Sequence, residues 1–119
     1  MRLHLRLSAS PQDLRVVRIG LRSLLRRFGA DEDVISDVLV ACGEACGNAI
    51  RHPVNPSRAG FEIKAKADRE RVLLIVRDFG HWREDEDLGG LGFTLMCALM
   101  DEVRTRQTAH GTFVRMVAR

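Results

Sequence analysis

The segment at residues 41–53, ACGEACGNAIRHP, places an acid and an amide four residues apart on a stretch that reads as a helix. In a helix, Glu44 and Asn48 project from one face with their Cβ atoms about 5–6 Å apart. The Glu44 carboxylate is then able to orient or deprotonate a hydroxyl nucleophile, and the Asn48 amide oxygen is a hard ligand that suits Mg²⁺. Such a pair alone is more often a solvated helix face.

Two glycines, Gly43 and Gly47, flank this pair inside the same predicted helix. Each costs a helix about 1 kcal/mol relative to alanine. A group that must approach the helix surface closely would explain why this cost occurs twice within one turn. The two glycines therefore predict a helix surface without side chains at these positions, which a bound group can approach closely.

A second motif, DFG at residues 78–80, follows an apolar strand pattern. The Asp78 carboxylate can accept a hydrogen bond from an exocyclic amine such as that of adenine, and the absent Cβ at Gly80 would let a flat ring lie against the backbone. The alternative is a strand-ending Asp in a turn, and this motif alone favours that alternative.

The run GGLG at residues 89–92 directly precedes an apolar helical pattern. Unpaired N–H groups and the positive end of the helix dipole receive phosphate oxygens at such a place, through the backbone of Gly90, Leu91 and Gly92. Thr112 begins the last strand, where its hydroxyl could donate to a phosphate. Threonine at a strand start is, however, usually explained by β-propensity alone.

Hydrophobic periodicity predicts the elements that must position these groups. Residues 2–8 and 61–66 alternate as half-buried strands, residues 71–78 form a more buried strand, and residues 102–108 and 112–119 form a closing hairpin. Helices are predicted from Pro11 to Gly29, from Asp31 to Pro53 and after GGLG. This β-α-α-β-β-α-β-β order predicts a two-layer α/β sandwich, with helices on one face of a mostly antiparallel sheet.

Length and composition bound the class of protein. The 119 residues fit a single domain spanning 1–119, with 45% hydrophobic and 29% charged residues, as in ordinary globular chains. The net charge of +3 comes mostly from arginines spread along the chain, which is weak support for nucleic-acid binding. The first ten residues alternate instead of forming a signal peptide, and no apolar run approaches the roughly 20 residues that span a bilayer. We expect a cytoplasmic protein without a direct nucleic-acid or membrane partner.

The three cysteines, Cys42, Cys46 and Cys97, are an odd number and form no CxxC motif. This pattern argues against a disulfide framework or a zinc ribbon. Cys42 and Cys46 lie one helical turn apart and could ligate a metal with His52, but free cysteine more often packs as a small buried hydrophobe. We expect the packing role.

Taken in order, the motifs resemble one known arrangement. An ExxxNA on a helix, a DxG at a strand end, a GGLG that opens a helix and a final GT strand resemble the N, G1, G2 and G3 boxes of the GHKL ATPases. Within that superfamily, EACGNAIRH, VRDFGHWR and GGLGFTLMCALMDEV are similar to the anti-sigma-factor serine kinases. The resemblance covers essentially the whole chain.

The resemblance implies ATP and Mg²⁺ as ligands and a role for each position. Glu44 resembles the general base that activates an attacking serine hydroxyl, and Asn48 resembles the Mg²⁺ ligand. His52 matches the histidine that ends the N box, although a capping role at the helix end is the stronger interpretation. The other implied positions are Asp78 and Gly80 at adenine, Gly90, Leu91 and Gly92 around the phosphates, and Thr112 as the last-box threonine.

Two departures from the family pattern concern the loop after Asp78. Trp82 stands where the second glycine of DxGxG is usual, and the loop that leads to Gly89 is short and carries four acids at 84–87. These acids would repel phosphates unless they point to solvent or help to hold metal. Arg83 is the nearby cation that could offset them, and a solvated surface arginine is an equal alternative.

As a function, the resemblance implies an anti-sigma regulatory factor. Such a protein is a Mg·ATP-dependent serine kinase that phosphorylates an anti-anti-sigma (STAS) antagonist and sequesters a sigma factor, and a homodimer is a further family inference. The arginine face of the first helix, Arg15, Arg18 and Arg22, is a candidate part of the partner surface. The alternatives are a non-catalytic ATP-binding switch, a kinase-like domain of a larger phosphatase or sensor protein, and an adaptor that binds no nucleotide.

Overall fold

The computed structural model describes residues 1–8, 10–82 and 90–119 and confirms the predicted order of elements. The five strands form one sheet in the order β1-β2-β3-β5-β4, and each neighbouring pair is antiparallel. The elements are β1 (Arg2–Leu7), α1 (Pro11–Phe28), α2 (Glu32–Arg51), β2 (Phe61–Ala67), β3 (Val72–Asp78), α3 (Leu91–Leu99), β4 (Glu102–Thr108) and β5 (Gly111–Ala118).

The helix ends follow the local signals of the sequence. Helix α1 begins at Pro11, whose missing N–H costs nothing at a first helical position. It ends at Gly29, which takes the left-handed conformation (φ 89°) and donates its N–H to the last carbonyls of the helix. Helix α2 ends at His52 because Pro53 cannot continue a helix.

One apolar core joins the inner face of the sheet to the helices. Inward strand residues such as Ile63, Leu74 and Met116 are fully buried against Leu21 and Leu25 of α1 and the apolar stripe of α2. This layering confirms the predicted two-layer α/β sandwich. Within the residues described, none of the helices is long and apolar enough to cross a membrane.

The cysteines of α2 belong to this core. Cys42 and Cys46 are buried with their Sγ atoms 3.9 Å apart, whereas Cys97 is exposed. The contact with the Cys42 thiol, together with burial, raises the pKa of Cys46 well above its usual value. Both thiols of α2 are therefore small packing groups, and the described residues contain no cluster of three or more metal-ligating side chains.

Gly111 determines how β5 begins beside the end of β3. Its φ is 125°, and a Cβ at this position would overlap the carbonyl oxygen of Asp78. Only glycine adopts this conformation readily and leaves room for the Asp78 carbonyl. With glycine at 111, the next residue, Thr112, pairs directly opposite Asp78.

Replacing Gly111 with alanine should destabilise the fold by about 3 kcal/mol or more, because backbone strain adds to the steric overlap. Urea unfolding followed by circular dichroism measures this change. Gly20→Ala is the matched control: its Cβ would lie 3.6 Å from the Leu3 side chain, an ordinary contact, so this variant should be neutral or more stable. Equal free energies of unfolding for the two variants would contradict the assignment.

Candidate functional site

One face of α2 carries three polar side chains at successive turns: Glu44, Asn48 and His52. Asn48 is buried and Glu44 is partly buried, although both are polar. The backbone N–H of His52 donates to the carbonyl of Asn48, which makes His52 the C-cap that was expected. Its ring also lies 5.7 Å from the ring of Trp82, so the end of α2 touches the segment that follows β3.

Asp78 lies at the end of β3 with only 1% of its surface exposed. Its Oδ1 accepts the backbone N–H of Gly80 at 3.0 Å, and its Oδ2 accepts the indole Nε1–H of Trp82 at 2.6 Å. Burial raises the pKa of Asp78 above its ordinary value, and the hydrogen bonds from Gly80, Trp82 and Thr112 oppose that rise without cancelling it. Both carboxylate oxygens are thus satisfied from within the chain.

Trp82 therefore occupies the place that sequence analysis assigned to a nucleobase. Its indole is 95% buried and gives Asp78 the kind of N–H donor that an exocyclic amine would give. Trp82, which stands where the family pattern has a glycine, thus makes a specific hydrogen bond to Asp78. A base that took over this bond to Asp78 Oδ2 would have to displace the indole.

The structure shows contacts of Gly80 and Thr112 within the chain that the sequence did not predict. A Cβ on Gly80 would lie 2.8 Å from the Cβ of Pro53 and 3.1 Å from the carbonyl oxygen of Val54. Close packing of the chain after α2 is thus one physical reason for glycine at this position. The Thr112 hydroxyl donates its one proton to the carbonyl of Gly80 at 3.0 Å, so that proton is not free for a phosphate. Both residues hold the Asp78 end of the site together, and their contact with a nucleotide stays a prediction.

The other end of the site is the first turn of α3. This helix begins at Leu91, whose side chain is 84% exposed, so only its backbone can belong to the site. Oε2 of Glu44 lies 2.7 Å from the point that a Cβ on Gly92 would occupy. Glycine at this position therefore leaves room for the Glu44 carboxylate, which lies where the N–H groups and dipole of a helix start favour an anion.

Arg51 is a neighbour of Asn48 that sequence reasoning missed. Its Nη2 donates to Oδ1 of Asn48 at 3.0 Å, the same oxygen that was expected to bind Mg²⁺. The spacing of three residues along a helix is a signal that could have shown this contact. A Cβ on Gly47 would lie 3.0 Å from Nη1 of Arg51, so Gly47 makes room for this side chain.

Gly43, by contrast, opens onto a groove between α1 and α2, and a Cβ there would meet no atom within 4 Å. A role for Gly43 or Gly47 in admitting a triphosphate stays a prediction. The acids at 84–87, Arg83 and Gly89 lie outside the described residues.

These contacts join the four predicted segments along α2. Glu44 in the middle of α2 contacts the start of α3. His52 at the C-terminal end of α2 contacts Trp82, which in turn donates a hydrogen bond to Asp78. Asp78 is in turn paired with Thr112 across β3 and β5. The arrangement places the internally bonded Asp78 carboxylate at one end and the Glu44 carboxylate beside a helix start at the other, with the Asn48 amide between them.

Comparison with known proteins identifies the family of the chain. A family model described as the histidine kinase-like ATPase domain matches residues 7–118. The serine-protein kinase RsbW of Bacillus velezensis is 31% identical over 133 aligned residues, which cover 96% of this chain and 82% of that protein. The serine-protein kinase RsbW of Staphylococcus aureus is 27% identical, with 85% and 76% covered.

Among solved structures, a crystal structure of the RsbU and RsbW domains of a Mycobacterium tuberculosis protein is similar throughout this chain. The TM-score is 0.81 and the sequence identity is 29%. The match covers 100% of this chain but 32% of the solved one, so this chain spans about a third of that polypeptide.

Trp82→Phe should tighten the binding of adenine nucleotides by about fivefold, because it keeps an aromatic ring but removes a competing hydrogen bond worth about 1 kcal/mol. Isothermal titration calorimetry gives the affinities. Because Trp82 is the one tryptophan of the chain, its fluorescence should also change when ATP is added to the unaltered protein.

Phe113→Leu on the other face of the sheet is the control and should leave nucleotide affinity unchanged. A loss of affinity in Trp82→Phe would mean that the indole holds the nucleotide and does not compete with it.

Proposed function

This chain belongs to the histidine kinase-like ATPase domain family, and we propose that it is an ATP-dependent serine protein kinase of the anti-sigma regulatory type. The observation that carries the proposal is the position of Glu44. Its carboxylate lies against the first turn of α3, where phosphates are expected, with Asn48 one helical turn further along α2. The relatives that match most of the chain are named serine-protein kinases, which supports the same reaction.

The described residues fit ATP and Mg²⁺ after two internal contacts have been exchanged. Asp78 becomes an acceptor for the adenine amine when Trp82 releases it, and the Asn48 oxygen becomes a metal ligand when Arg51 releases it. The released guanidinium remains beside the site as a cation that complements phosphate charge. When bound, Mg·ATP supplies the phosphoryl group that is transferred.

Glu44 supplies the base for an incoming hydroxyl. It lines a groove of about 450 Å³ between α1 and α2 together with Arg18, Arg22 and Arg26. Arg26 is already paired with Glu32, whose Oε1 lies 3.2 Å from its Nε. A serine that enters along this groove meets the Glu44 carboxylate, which orients the hydroxyl and accepts its proton. In phosphoryl transfer, positioning of the reacting groups is a main contribution of the protein to the rate, and Glu44 makes this contribution for the hydroxyl.

The same groove defines the partner surface that we propose. Arg18 and Arg22 belong to the arginine face expected from the sequence, and Arg15 lies exposed on the same helix. Cations around the entrance suit an acidic partner. By family resemblance, the acceptor is a serine of an anti-anti-sigma (STAS) protein, and a sigma factor is the second partner.

A second candidate is a non-catalytic switch, and one observation favours it. The contact between Trp82 and Asp78 makes nucleotide binding depend on a rearrangement of the chain, which suits a protein that uses ATP to change partners. The crystal structure with both RsbU and RsbW domains favours a related possibility, in which this chain works as one domain of a longer protein.

Transfer of labelled γ-phosphate to the cognate STAS protein tests the kinase directly. Glu44→Gln keeps the shape of the side chain but removes the base, so the transfer rate should fall by about a hundredfold. ATP affinity, measured in parallel, should change by less than about twofold, because the remaining nucleotide contacts persist. If the unaltered protein binds ATP but never moves label, the switch replaces the kinase.

Gly92→Ala tests whether the position of Glu44 matters. A Cβ there lies 2.7 Å from Glu44 Oε2, so the flexible end of the carboxylate must move while the fold is retained. We expect an unchanged or higher melting temperature and a transfer rate lowered by about tenfold or more. Gly20→Ala, in the middle of α1, adds the same methyl group away from the site. Its rate should equal that of the unaltered protein, and a similar loss in both variants would contradict the role of Gly92.

A further inference from the structure

The sheet has one face under the helices and a second face that points away from them. Strand register aligns this second face in three rows that cross all five strands. The middle row is His4–Lys64–Ile75–Arg115–Arg104, with one row of five residues on either side of it. We call the fifteen positions of these rows the cationic face.

The charge of the cationic face is strongly positive. Eight of its side chains are Arg or Lys and two are carboxylates, so its excess of cations is larger than the net charge of +3 of the whole chain. Glu62 is already paired, with its Oε2 3.1 Å from His4 Nε2 and 3.3 Å from Arg6 Nε. Glu102, the other carboxylate, accepts a hydrogen bond from Arg119.

Like charges also lie directly opposite each other on this face. Arg2 pairs with Lys66 across β1 and β2, and Arg104 pairs with Arg115 across β4 and β5. Such pairs destabilise a sheet, and opposite charges at the same positions would stabilise it. Arg104 is partly compensated, because its Nη2 lies 3.9 Å from Oε1 of Glu102. Among the described residues of this face the cations still outnumber the carboxylates, so a ligand that carries negative charge would relieve their repulsion.

Apolar surface lies between the cations. Ile75, in the centre of the middle row, lines two hollows of the sheet. The hollow towards β1 and β2 measures about 340 Å³, and the one towards β4 and β5 measures about 1100 Å³. A ligand that filled them would meet aliphatic surface at its centre and guanidinium or ammonium groups on both sides.

This chemistry decides among the possible occupants. A second copy of this face would place cations against cations, which costs several kcal/mol when the charges are desolvated. Single-stranded nucleic acids stack their bases on free aromatic rings. Both aromatic rings in the three rows are already engaged: Phe113 has the guanidinium of Arg77 over it at 5.0 Å from its centroid, and Nε2 of the His4 imidazole lies 3.1 Å from Oε2 of Glu62. An acidic helix with one apolar side satisfies both the cations and Ile75.

We propose that the cationic face is a docking surface for an acidic, amphipathic segment of a partner protein. Asp78 and Thr112 pair on the opposite, helix-covered side of the same strands, so this surface is separate from the nucleotide site. It adds a second contact region to the groove between α1 and α2. A partner held there leaves Glu44 and its groove accessible.

The test uses the full chain and a labelled peptide of about 18 residues, five helical turns, with glutamate on one side and leucine on the other. Fluorescence anisotropy should show binding that weakens as salt is added. Arg104→Glu with Arg115→Glu should weaken binding about tenfold or more, because both cations lie beside the larger hollow. Circular dichroism confirms that this double variant is folded.

Two controls separate this surface from net charge alone. Arg27→Glu with Arg69→Glu makes the same change in charge at exposed positions outside both the cationic face and the groove between α1 and α2, and should bind the peptide as the unaltered protein does. Ile75→Thr keeps the charge and the β-propensity but removes aliphatic surface. It should weaken binding of the glutamate–leucine peptide and leave binding of polyglutamate of equal length unchanged.

Four results would overturn the proposal. The first is an equal loss of binding in the two double variants, and the second is equal affinity for polyglutamate and the amphipathic peptide. The third is tighter binding of an oligothymidine of about 20 nucleotides, which would make the face a nucleic-acid surface. The fourth is a dimer in sedimentation analysis that Arg104→Glu with Arg115→Glu dissociates, which would make it an interface between copies.

Discussion

A buried carboxylate, Asp78, is the constraint on which the site depends. Burying an ionised group is costly unless hydrogen bonds replace its water, so Asp78 needs donors that point inwards from several segments. The backbone of Gly80 and the indole of Trp82 provide them, while Thr112 ties Gly80 to the next strand. The hydrogen bonds that Asp78 requires thus bring together β3, the segment that follows it, and β5.

The site satisfies its polar groups internally before any ligand arrives. Trp82 bonds to the acid expected at adenine, and Arg51 bonds to the amide expected at the metal. A nucleotide must therefore exchange existing hydrogen bonds for new ones, and only the difference between them contributes to its affinity. This physical situation couples binding to a local rearrangement, which is a requirement shared by a regulated kinase and by a partner switch.

Charge is distributed unevenly over the two layers. The groove between α1 and α2 leads to Glu44 and is lined on one side by arginines, whereas the outer face of the sheet collects a larger set of cations around Ile75. These two surfaces lie on opposite layers of the sandwich, so occupation of one does not block the other. The two proposed partner surfaces are therefore compatible with simultaneous occupation.

The sequence by itself determined the order of elements, the helix ends and the alignment of Glu44 with Asn48, because apolar periodicity and capping act over a few residues. The tertiary structure decided three contacts: Trp82 donates a hydrogen bond to Asp78, Pro53 packs closely against Gly80, and the Thr112 hydroxyl donates to the carbonyl of Gly80. It also gathered arginines that look scattered along the chain into one face of the sheet. Such contacts depend on strand order, register and loop path, and these arise from packing between distant segments, which a local pattern of residues does not encode.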